Sequence, residues 1–182
     1  LLGLQVIVTT NGVNLRSMIK ELLAAGIDSL WISLDEPSHI HDLIRGRTGL
    51  YDSIYNIISE NEKLILDYKK NGFTLNISFA ITQMNYKYMK EFILSTKDLP
   101  IDLFWFTHIN YVSEGIASQH NKCYPQYKIG SSCTHEEMMP SLINPYEMLI
   151  SIYDLKKTGG YLSKNITIVP RLDDYIDYED YY

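Results

Sequence analysis

LQVIVTTNGVNLRSMIKELLAAGIDSLWISL, residues 4–34, reads as one complete strand–helix–strand unit. Leu4 to Thr10 is a short, β-branched, nearly continuous apolar run, the pattern of a strand buried on both faces. Asn11-Gly12 ends it. Ser17 to Ala25 has helical spacing through Met18, Ile19, Leu22 and Leu23, and Gly26 stops it. Ser29 to Leu34 then reads as a second buried strand.

The unit repeats downstream. A polar loop is expected from Asp35 to Gly49, then one long helix from Tyr51 to Lys70 with Ile54, Ile57, Ile58, Ile65 and Tyr68 on one side. Thr74 to Ile81 (TLNISFAI) predicts a third strand. Asn85 is placed to cap a helix whose stripe is Met89, Phe92 and Ile93, and Leu103 to Thr107 (LFWFT) predicts a fourth strand. Strands alternating with helices imply a parallel sheet with right-handed crossovers. Four such strands form an arc that cannot close a barrel, and the first would leave a bare backbone edge. That edge, and a chain that opens on Leu1 without an initiator Met, lead us to expect further strands upstream. The same edge is expected to pair with a copy of itself, giving a dimer as a truncation artefact.

Beyond residue 115 the regularity weakens. Residues 116–140 read as a long loop, and Asn144-Pro145-Tyr146-Glu147 as a helix start with an Asn cap and Pro at the first position. Tyr146, Leu149, Ile150 and Tyr153 share a face of that helix, Gly159-Gly160 is expected to end it, and Ile166 to Val169 suits a short strand. The expected division is a barrel part at 1–115, a loop-rich extension with one helix at 116–170, and an acidic, tyrosine-rich tail at 171–182, expected to be mobile.

Composition narrows the function classes. A net charge of −6 over 182 residues argues against a nucleic-acid surface. No apolar run reaches the roughly 20 residues of a membrane span. Only two cysteines, Cys123 and Cys133, fit a reducing, cytoplasmic setting.

Ligands of parallel α/β sheets bind at the carboxyl ends of the strands. Those ends are polar here: Thr9, Thr10, Asn11 and Gly12; Ser33 and Asp35; Gln83 and Asn85; His108, Asn110, Tyr111, Ser113 and Glu114. Each has a plainer reading beside the functional one. Asn11-Gly12 is a turn dipeptide, and Asp35 could start the turn at Pro37. His41-Asp42 could be a local hydrogen bond; Arg45 is a surface charge or a bidentate carboxylate partner; Glu114 caps a turn or binds. Metal spacing is poor. His39 and His41 lie two apart, Cys123 and Cys133 ten apart, and His135 adds one further donor near Cys133. The glycine-rich nucleotide loops, the GxSxG elbow and the HExxH helix are absent.

Taken together, VTTNGVNL, LLAAGIDSLWISLDEPSHIHDLIRGRTGLYDSIYNII, FTLNISFAITQMN and NYVSEG resemble the middle and end of a radical S-adenosylmethionine (SAM) core over residues 4 to about 115. The matching parts are Thr9–Gly12, Ser33–Pro37 and His41–Tyr51, in the order and spacing of TTNG, SLDGP and HDxIRGxxGxF. The resemblance implies a partial (βα)6, TIM-like barrel that binds SAM across its open rim. It places Thr10 and Asn11 near SAM, Ser33 and Asp35 toward its ribose, Arg45 facing its carboxylate, and Ala80 and Ile81 near the adenine. Gln83, Asn85, His108, Asn110 and Glu114 are the rim positions left for a substrate, which could be a peptide or protein.

The resemblance also implies a 4Fe–4S cluster that reduces SAM to a 5′-deoxyadenosyl radical for hydrogen abstraction. The CxxxCxxC loop for that cluster is absent and is expected upstream of Leu1, with the GGEP-like stretch that meets the SAM amine. Cys123 and Cys133 are then candidate ligands of an auxiliary cluster. Glu36 stands where the pattern has glycine. The competing readings are a cluster-free β/α-barrel lyase or aldolase, and a non-enzymatic binding domain on the same scaffold.

Overall fold

A computed structural model describes residues 3–37, 39–108, 112–131 and 143–169. Among them, strands β1 (Ile7–Thr10), β2 (Ser29–Ser33), β3 (Thr74–Ile81), β4 (Leu103–His108) and β5 (Asn165–Val169) form one sheet. Every pairing is parallel, and spatial order equals chain order. Right-handed crossovers in such an order all return on the same face.

Burial shows which face that is. Leu30, Ile32, Leu75, Ile77, Phe79, Ile81, Phe104, Phe106 and Ile168 alternate along the strands and are buried. Register aligns them in rows, such as Ile32↔Ile77 and Phe79↔Phe106. Helices α1 (Leu15–Ala24), α3 (Leu50–Glu60), α4 (Glu62–Lys69), α5 (Met89–Ser95) and α7 (Pro145–Tyr161) add buried residues to this same core. Phe92 of α5 lies 5.1 Å, centroid to centroid, from Phe79. The other sheet face carries Ser29, Trp31, Ser33, Thr74, Asn76, Ser78, Trp105 and Thr107, small and polar apart from two tryptophans, and several are only half buried. The chain is thus an α/β protein with a five-stranded parallel sheet flanked by helices, an arrangement consistent with part of an α/β barrel-like fold.

Several expectations are corrected. The first strand is shorter and is a partly exposed edge, with Ile7 59% exposed, and not a strand buried on both faces. The segment 35–49 is not all loop: His39–Arg45 is helix α2. The long helix is two, because Asn61 leaves the helical region (φ −105°, ψ 12°) and turns its side-chain amide onto the Ile57 carbonyl. Residues 116–123 of the expected loop belong to helix α6 (Glu114–Cys123), capped by the Ser113 hydroxyl. The sheet crosses the boundary expected at 115, since β5 pairs with β4. The tail at 171–182 lies outside the described residues.

Helix α7 begins as the sequence suggests, with the Asn144 side chain accepting from the amides of Tyr146 and Glu147. It buries Met148, Ile152, Leu155 and Gly159, while Tyr146, Ile150 and Tyr153 of the expected face are exposed. Gly159 and Gly160 sit inside it, not beyond its end. No helix among the described residues is long and apolar enough to cross a membrane.

Candidate functional site

Sequential parallel strands bring the loops after β1, β2 and β3 side by side. At β1, the Thr10 hydroxyl accepts from the Gly12 amide (3.1 Å) and the Asn11 side-chain Oδ1 from the Val13 amide (3.2 Å). Asn11-Gly12 is therefore a turn locally, and it feeds directly into α1. Gly12 has φ +80°, and a Cβ there would press on the buried side chain of Ile54.

The densest set of contacts joins the ends of β2 and β3. Asp35 is completely buried. Its Oδ1 accepts from the Ala80 amide at 2.8 Å, and its Oδ2 from Arg45 Nε at 2.6 Å, with Arg45 Nη2 at 2.5 Å. Burial pushes the Asp35 carboxyl above its ordinary range, and the Arg45 guanidinium beside it opposes that. Asn85 closes the loop from the other side, its Nδ2 donating to the Asp35 and Ala80 carbonyls, both at 2.9 Å. Asn85 Oδ1 accepts from the Thr82 amide and hydroxyl. The Asn85 side chain thus staples the loop; it does not cap the following helical turn, and it is closed to a ligand in this structure.

Two neighbours complete the clasp. His41, on α2, is fully buried and accepts from the Asp35 amide through Nδ1 at 3.1 Å. Burial lowers its pKa to about 4, so the ring is neutral and its proton sits on Nε2, which finds no hydrogen-bond partner among the described residues. Asp42 does not pair with His41; it holds the amides of Gly49 and Tyr51 at the start of α3. Glu36 turns inward and is 4% exposed. One of its oxygens takes the amides of Ile40 and His41, and Oε2 has no partner among the described residues. Burial raises its carboxyl. Glu36 is not at a positive φ, so its backbone makes no demand for the glycine of the resembled pattern.

The structure therefore gathers Ser33, Asp35, Arg45 and Ala80, with Thr10 and Asn11 on the adjoining strand end. Ser33 is half-buried, and its hydroxyl makes no hydrogen bond among the described residues. The Arg45 side chain is 28% exposed. Asp35 occupies two of the five guanidinium N–H donors, leaving others for a ligand carboxylate. The Ile81 side chain is fully buried in the helix-side core, so only its backbone reaches the rim. Gln83 is half-buried beside the staple, and His108 ends β4 with its pKa lowered by burial. Glu114 stands apart, exposed in the first turn of α6. Asn110 and Cys133 lie outside the described residues.

The residues present fit the carboxylate and ribose end of SAM: a forked cation, an uncommitted hydroxyl and a fixed backbone. They do not fit an iron–sulfur cluster. Cys123 is free and exposed at the end of α6, and no group of three His, Cys, Asp or Glu among the described residues is placed to hold a metal. Compared with protein-family models and with curated proteins, the sequence matches none.

Proposed function

We propose that this chain is the SAM-cradling side of a radical SAM enzyme, part of a (βα)6-type partial barrel. The observation that carries the reading is the Asp35–Arg45 fork, anchored on the Ala80 amide beside the free Ser33 hydroxyl. These groups stand at the carboxyl ends of β2 and β3, where parallel sheets bind ligands. Asp35 positions Arg45 and is itself shielded from solvent. Arg45 presents its remaining N–H groups to the ligand carboxylate. Ser33 accepts or donates to a ribose hydroxyl, and the Ala80 backbone lines the adenine side. In such an enzyme a 4Fe–4S cluster would supply the electron for reductive cleavage of SAM, while the residues of this chain would hold and orient the SAM carboxylate and ribose. The cluster ligands come from outside the described residues in this reading.

The test is calorimetric titration of SAM into the chain. Saturable binding is expected, weakened about tenfold or more by Arg45→Lys or Ser33→Ala, which remove one directional contact each. Equal affinity in Arg45→Lys and the unmodified chain would overturn the assignment. In the parent protein, anaerobic loading with iron and sulfide should give reductant-dependent 5′-deoxyadenosine.

A further inference from the structure

The sheet face opposite the helical core holds a cavity at the far end of the strands from the rim. Its volume is about 510 Å³, within the range of small-molecule sites. It lies at the start of β3, about 20 Å below the Asp35–Ala80 clasp at ~3.3 Å per residue along the strand.

Its floor is a fixed polar network. The Thr74 hydroxyl donates to the Ser29 hydroxyl at 2.9 Å, and Asn76 Nδ2 donates to Ser29 at 2.8 Å. That leaves Asn76 Oδ1 as an acceptor. Asp28 holds the Val6 amide with Oδ2, and Asp102 holds the Leu75 amide and Lys69 with Oδ2, so one oxygen of each carboxylate remains. Asn165 donates to the Asp102 carbonyl through Nδ2 and keeps Oδ1. Trp31 forms an aromatic wall, held by an edge-to-face contact with Trp105 at 6.0 Å.

The lining is thus rich in acceptors, and they come from the starts of four neighbouring strands. At ~4.8 Å per strand they spread over roughly 14 Å. An ammonium radiates its donors from one atom and cannot meet acceptors so far apart. A row of hydroxylated rings can, offering hydroxyl donors along both edges and an apolar C–H face to Trp31. We propose that this cavity binds a neutral saccharide of about two rings. The site is separate from the rim and does not rest on the SAM reading.

Trp31 and Trp105 are the only tryptophans of the chain, so tryptophan emission, excited beyond the tyrosine absorption band, reports on this face. The experiment titrates cellobiose, maltose and diacetylchitobiose into the chain and follows that emission, with methylammonium chloride as a donor-bearing cationic control. At least one disaccharide should give a saturable change. Asp28→Asn keeps an acceptor for Val6, and Asn165→Ala removes an exposed side chain; each should weaken binding about tenfold, with the circular dichroism spectrum unchanged. No saturable change with any of the three sugars overturns the proposal. So does a response to the ammonium ion alone, or sugar affinity that both variants leave intact.

Discussion

At Gly12 two demands meet in one residue. The turn needs φ +80°, and a Cβ would stand 2.6 Å from Cγ1 of the fully buried Ile54. Gly12→Ala is expected to lower the unfolding free energy by about 2–4 kcal/mol in urea titrations. Gly46→Ala, at φ +63° with open space around it, should lose only about 1 kcal/mol. His41 gives a pH prediction. Its folded pKa of about 4 lies below the ordinary 6.5, so the unfolded chain binds the extra proton first. Its contribution is complete above pH 6.5 and disappears as pH falls toward 4, roughly 3 kcal/mol over that window. Melting temperatures of the unmodified chain should fall across it, and His41→Asn, which keeps an acceptor for the Asp35 amide, should flatten the slope. The sequence showed Arg45 as a cation able to fork onto a carboxylate. It did not show that the carboxylate would be Asp35, because only the fold of α2 turns Arg45 back over the strand end.

Helix α7 and strand β5 meet through Gly159. A Cβ there would lie 3.0 Å from Ile166 Cγ1, whereas one at Gly160 would meet nothing within 4 Å. Gly160→Ala should therefore stabilise by about 0.5–1 kcal/mol through helix propensity alone. Gly159→Ala should fall at least about 1 kcal/mol short of it, a comparison that thermal melts of the pair can make. The same helix shows why periodicity misled. It carries two apolar stripes, and Tyr146, Leu149, Ile150 and Tyr153 form the more conspicuous one. The buried stripe runs through Met148, Ile152, Leu155 and a glycine, which no hydropathy pattern marks as a contact. Helix α2 was hidden by Pro37 and two glycines nearby, and α6 by Gly, Ser, Asn and Cys, poor helix formers held here by the Ser113 cap. The strands were plain because β2, β3 and β4 bury the apolar residues of one face, and their β-branched and aromatic residues leave little alternative.

For the molecule as a whole, no strand among the described residues pairs with the outer edge of β1, where Leu4, Val6 and Ile7 are 75%, 49% and 59% exposed. Bare parallel edges of this kind pair with other chains. Sedimentation velocity of the chain should show an association that weakens on dilution, and Val6→Lys should shift it toward monomer. If the lysine variant associates as strongly, the contact lies elsewhere. The order of the sheet carries a further consequence. Among the described residues each strand pairs only with the strand before it and the one after, beginning with Ile7 against Ser29 and ending with Val169 against Thr107. No strand has to wait for a partner that lies far ahead in the chain. As the polypeptide leaves the ribosome, every new strand meets a neighbour already made, so the direction of translation is also the direction in which the sheet widens.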